Sequence, residues 1–145
     1  MTDSRLAWAY LSRVAEAPSW PLVALVRSVG AVDAAELVRR GAVGAELDRV
    51  TSARREVDSA AADLDRIGRL GGRLVTPDDP DWPFAPFTHF AGVDVGDHPN
   101  GIAPLALWVI GAASLSAVSG RAAAVVRTRA AIAQEWNGGL MLLPV

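Results

Sequence analysis

Two apolar runs decide how this chain is read: Leu105-Ala106-Leu107-Trp108-Val109-Ile110, and Ala122-Ala123-Ala124-Val125-Val126, which ends on Arg127-Thr128-Arg129. Neither alternates between apolar and polar residues. Each therefore reads as a strand buried on both faces, the pattern of a parallel sheet covered by helices. Residues 130–136 then read as the start of a helix, which Asn137-Gly138-Gly139 interrupts. A strand that runs into a helix through Arg127-Thr128-Arg129 has the layout of the first turn of a doubly wound fold. There the amides and dipole of the helix start meet a phosphate. Glycine normally lets the backbone approach the anion, and here that position falls on Arg127.

Upstream the periodicity is helical. Ser4 can cap a helix with apolar positions Leu6, Tyr10, Leu11 and Val14, ending by Pro18. Ser19 caps a second helix, in which Trp20 and Pro21 form the first turn and Gly30 closes the run Leu22, Val23, Leu25, Val26, Val29. A third helix is predicted from Val32 to Arg40, closed by Gly41. From Gly44 to Leu70 the spacing is helical again with a break near Thr51, and Leu47, Val50, Val57, Ala61, Leu64 and Ile67 share one face. Gly71-Gly72 ends this half, and Arg73-Leu74-Val75-Thr76 reads as a short strand.

The composition supports a folded core: 51% of the residues are hydrophobic, although only 6% are aromatic. There is no cysteine, which excludes disulfides and thiolate metal sites. All 14 basic residues are arginine, as base composition in a GC-rich gene would produce. Residues 74–120 contain five aspartates and no base, so a basic face can come only from the arginine-bearing helices or the C-terminal residues. There is no signal-peptide pattern and no apolar stretch near the ~20 residues that span a bilayer, so the expected location is the cytoplasm.

Three further constellations bear on chemistry. Residues 25–38 form a helix, a glycine turn and a helix, which fits a helix-hairpin-helix that points turn amides at DNA phosphate. It fits a plain corner between two helices as well, and Ser28 and Glu36 count against the DNA contact. Thr76-Pro77-Asp78-Asp79-Pro80-Asp81-Trp82-Pro83 places three aspartates in four positions. They lack calcium-loop spacing, so a rigid turn that buries Trp82 is the better reading and no metal site is expected. His89 and His98 have no partner at catalytic spacing, and no catalytic residue is nominated.

Three linked segments carry a resemblance: Arg69 to Pro83 (RLGGRLVTPDDPDWP), Pro104 to Gly111 (PLALWVIG) and Arg121 to Arg129 (RAAAVVRTR). In this order and spacing the chain resembles the DNA-processing protein A (DprA, or Smf) family, over about Leu6 to Ala131. The resemblance implies a sterile-alpha-motif-like helical domain followed by an extended Rossmann domain. It also implies single-stranded DNA binding, and loading of a RecA-type recombinase during natural transformation. A Gly-Ser/Thr-Arg turn holds DNA phosphate in that family, and Thr128 and Arg129 match its hydroxyl and arginine. Arg127 stands at its glycine, and Ile132 stands where a small hydroxyl residue is usual.

The expected architecture is therefore α+β. A helical SAM-like, helix-hairpin-helix domain covers 1–72, and the first strands of an incomplete extended Rossmann domain cover 73–145. Similarity fades after Ala131, so the Rossmann sheet and the family's dimer interface are expected to be largely missing, as in a truncated or frameshifted gene. Orphan strands at 105–110 and 122–126 would leave apolar edges open and make that half unstable. The expected function is non-enzymatic, DprA-like DNA processing without a cofactor, with DNA binding weakened or lost. The alternatives are a helical protein-interaction module or the remnant of a disrupted gene.

Overall fold

The Ser19 side chain starts the element that is clearest in both sequence and structure. Its Oγ accepts a hydrogen bond from the Leu22 amide, and α2 runs from Trp20 to Val29 with Pro21 in its first turn. Gly30 closes the helix at φ +84, a conformation open to glycine, and its amide donates to the Val26 carbonyl. The same residue opens α3, Ala31–Arg39. The computed structural model describes residues 2–15, 19–88 and 102–121, and all structural statements concern these.

The first helix, α1, spans Thr2–Val14, so Ser4 lies inside its first turn and is not the cap. Asp3 in that turn places a carboxylate against the positive end of the helix dipole. α4 covers Ala45–Thr51 and a 3₁₀ turn covers Ser52–Arg54, while α5 covers Ala60–Arg69. The break near Thr51 falls where the sequence predicts it, but it resets the helical phase beyond it. Ala60 is therefore buried instead of Ala61, and Val57 in the connection is 66% exposed.

These helices enclose one core around α1. Ala9 and Leu11 of α1, Leu22 of α2, and Ala34, Ala35 and Val38 of α3 are fully buried. The alanines let α1 and α3 approach closely. Tyr10 closes one side of this core. Its hydroxyl donates to the Arg55 carbonyl at 2.9 Å, while the Arg39 guanidinium stacks 4.2 Å from its ring centroid and pairs with Asp58 at 2.8 Å.

The sheet contradicts the parallel reading of 105–110. β1 (Gly72–Val75) and β2 (Leu107–Ile110) are antiparallel, with Gly72 opposite Ile110, Leu74 opposite Trp108 and Val75 opposite Leu107. The apolar run could not tell parallel from antiparallel because two different layers bury the two faces. Leu74, Leu105, Ala106 and Trp108 pack on the helical core. Val75, Leu107 and Val109 form a second cluster with Trp82, Phe87 and Leu115. An apolar run without alternation satisfies this arrangement as well as it satisfies a parallel sheet. The described strands are thus seated and not orphaned, although Ile110 at the end of β2 is 53% exposed. Two short helices complete the described chain, α6 (Phe84–Thr88) and α7 (Leu115–Val118), with a 3₁₀ turn at Ser119–Arg121. The mixed α+β class expected from the sequence holds. The second apolar run at 122–126 and the residues after it lie outside the described residues.

Candidate functional site

The turn after β1 is rigid because each of its aspartates accepts from a protein donor. Asp79 accepts from the amide and the hydroxyl of Thr76, at 2.7 and 2.9 Å. Asp78 accepts from the Trp8 indole N–H at 2.8 Å, which ties the turn to α1. Trp82 is buried, with its ring centroid 5.1 Å from that of Phe87.

Asp81 belongs to a clamp with Arg73 of β1. Arg73 donates to the carboxylate of Asp81 at 2.7 Å and to the carbonyls of Gly111 and Ala113, at 2.6 and 2.7 Å. Asp81 accepts from the Ser114 hydroxyl at 2.6 Å and from the Ser116 amide at 3.2 Å. Burial raises the Asp81 pKa. The Ser114 hydroxyl, the Arg73 guanidinium and the Leu115 and Ser116 amides outweigh it and hold the carboxyl well below its ordinary 3.8. These two side chains fix the course of the chain as it leaves β2. Ser114 also caps α7 by accepting from the Ala117 amide.

The hairpin between α2 and α3 presents Gly30 at its turn, while Ser28 donates to the Leu25 carbonyl and Glu36 pairs with Arg40 at 2.9 Å. Beside it, Asp3, Leu6, Ala7, Val32, Glu36 and Arg39 line an open groove of about 300 Å³ between α1 and α3. Tyr10 is not poised for proton transfer: burial raises its pKa above 10.0, opposed by the charges of Arg39 and Arg55. Among the described residues, no group of three or more His, Cys, Asp or Glu side chains could hold a metal ion. No helix among them is long and apolar enough to cross a membrane.

Thr128 and Arg129, the residues nominated for DNA phosphate, lie outside the described residues, as do Arg127, His89 and His98. What the sequence did not nominate is the Arg73–Asp81 clamp. Its one visible sign is that Arg73 is the last base before the base-free segment 74–120, which leaves the aspartates there one nearby cation in sequence. The Trp8–Asp78 and Tyr10–Arg55 bonds join residues 70 and 45 positions apart and have no local signature.

No family model matches the chain, and no solved structure matches it. Proteins named for DNA processing (DprA) in two strains of Mycobacterium tuberculosis, CDC 1551/Oshkosh and ATCC 25618/H37Rv, do match. Each is 58% identical over 127 residues, covering 88% of this chain and 33% of the relative. The chain thus spans about a third of the length of these curated relatives. Over the matched 127 residues the chain is similar to these proteins named for DNA processing.

Proposed function

We propose that this chain is a DprA-type DNA-processing module that contacts single-stranded DNA without catalysing a reaction. The observation that carries the reading is the 58% identity, over 88% of the chain, to proteins named for DNA processing. In this reading residues 1–72 are the helical SAM-like domain and residues 73–145 begin the Rossmann-like one. Thr128 and Arg129, which match the hydroxyl and arginine of the family's phosphate-binding turn, supply the phosphate contact. A RecA-type recombinase is the partner that would receive the bound strand, in the cytoplasm. Arg127 stands in the sequence where that turn has glycine, so an affinity weaker than a glycine turn would give is expected.

The test is binding of the chain to a single-stranded oligonucleotide at two salt concentrations. Neutralised phosphates release counterions, so affinity should fall as salt rises, and Arg129→Ala should weaken it and reduce the salt dependence. Salt-independent binding, or none at low salt, would refute the reading. The open groove between α1 and α3 favours a second one, in which the helical half is a protein-interaction module.

A further inference from the structure

The apolar residues of α2 divide between two sides of the helix. Leu22 and Val26 are buried in the core, whereas Trp20 remains 55% exposed. The other tryptophans among the described residues are buried (Trp8, Trp82) or half-buried (Trp108). Trp20, Ala24 and Arg27 follow one another at i, i+4 and i+7 and so share one helix face. The Arg27 guanidinium lies 5.8 Å from the centroid of the Trp20 ring. Ala24 between them is exposed and too short to cover the indole. α2 contains no carboxylate, and Arg27 is paired with none of the described ones.

From this juxtaposition we propose that the Trp20–Arg27 face of α2 is a contact site for single-stranded nucleic acid. The indole stacks on one base while the guanidinium pairs with a neighbouring phosphate. An indole presents its π-face to any base, so the stack needs no particular sequence. The guanidinium stays charged and offers parallel N–H donors that match a phosphate. An apolar protein partner would cover the indole but leave Arg27 buried without a countercharge, which is unfavourable. A nucleic-acid strand satisfies both groups, and that charge match selects it. The site rests on the DNA-processing reading for its ligand but does not depend on Thr128 or Arg129.

The experiment titrates the whole 145-residue chain with a deoxythymidine oligomer of about 20 nucleotides at low salt. It follows tryptophan emission together with the anisotropy of the labelled oligomer. Wild type should show quenched emission, and Trp20→Ala should remove most of the quenching and weaken binding about tenfold at an unchanged far-UV spectrum. Trp20→Phe should keep most of the affinity, and Arg27→Gln should lower the salt slope by about one. Trp20→Ala binding like wild type overturns the site, and if Arg129→Ala abolishes binding in the same series, the DNA reading stands without it. If Trp20→Ala weakens binding and Arg129→Ala does not, the α2 site stands and the Thr128–Arg129 contact falls. No binding by wild type overturns both.

Discussion

Replacing Gly72 with alanine tests whether β1 is seated on the helical core as described. A Cβ at Gly72 would lie 2.4 Å from the Val109 carbonyl oxygen and 2.8 Å from both Cγ1 and Cδ1 of Ile67. The first contact is with backbone in the paired strand, so no rotamer change relieves it. β2 must shift away, or α5 must move with Ile67. Such overpacking costs about 1–3 kcal/mol, and the strand shift also weakens the Gly111–Gly71 backbone bond beside it. The smaller entropy of the unfolded alanine chain returns about 0.4–1 kcal/mol, leaving a net loss of about 1–2 kcal/mol.

Two neighbouring glycines provide internal controls. At Gly71 a Cβ meets nothing within 4 Å, but φ is +68, so alanine there should cost about 1 kcal/mol from backbone strain alone. At Gly68, inside α5 with open space around it, alanine should stabilise by up to about 1 kcal/mol. Urea unfolding followed by far-UV circular dichroism at constant slope would give all three values. A Gly72→Ala chain as stable as wild type, or one less affected than Gly71→Ala, would refute the packing of β1 between α5 and β2.

Asp81→Asn should destabilise by about 1 kcal/mol at neutral pH, since a partly exposed ion pair and its charged hydrogen bonds are worth little more. Because the folded pKa of Asp81 is depressed, its stabilisation is full above the unfolded value near 3.8 and is lost as pH falls towards the lower folded value. The variant should therefore lose less stability than wild type below about pH 4, as acid titration of the urea midpoint would show; parallel acid profiles would contradict the clamp. Tyr10→Phe removes the hydroxyl bond to the Arg55 carbonyl and should cost about 1 kcal/mol, read from the same midpoint. An unchanged midpoint would mean that this bond does not close the α1 side of the core.

What was legible in the sequence was the set of elements whose signals are local. Ser19, Pro21 and Gly30 sit within one helix length and set both ends of α2, as observed. Gly71-Gly72 marked the end of the helical half correctly, but its main cause was out of reach. Gly72 is small because Ile67 and Val109 crowd it, and Val109 is 37 residues away. The Val57–Ala61 stretch failed for a related reason, since a 3₁₀ turn at 52–54 shifts the phase and no residue type announces by how much. Of the candidate site, the turn around Trp82 was readable from its prolines and aspartates. The Arg73–Asp81 clamp and the Trp20–Arg27 face depend on where loops and helix faces end up in space.

The antiparallel sheet shows why hydrophobic patterning alone could not choose between the two architectures. Burial on both faces is the condition that removes alternation from a strand, and it says nothing of which layers do the burying or of strand direction. Here Leu74 and Trp108 face the helices, while Val75 and Leu107 face Trp82 and Leu115. The same side chains would serve a strand in a parallel sheet equally well. The contacts around the pair accompany its direction: β1 ends in a tight turn held by Thr76 and Asp79, and Arg73 grips the carbonyls of Gly111 and Ala113 just beyond β2. That grip fits an exit from β2 beside the entry to β1, which is the antiparallel arrangement. The antiparallel order thus brings Arg73 within reach of these carbonyls, a contact that the apolar pattern passes over.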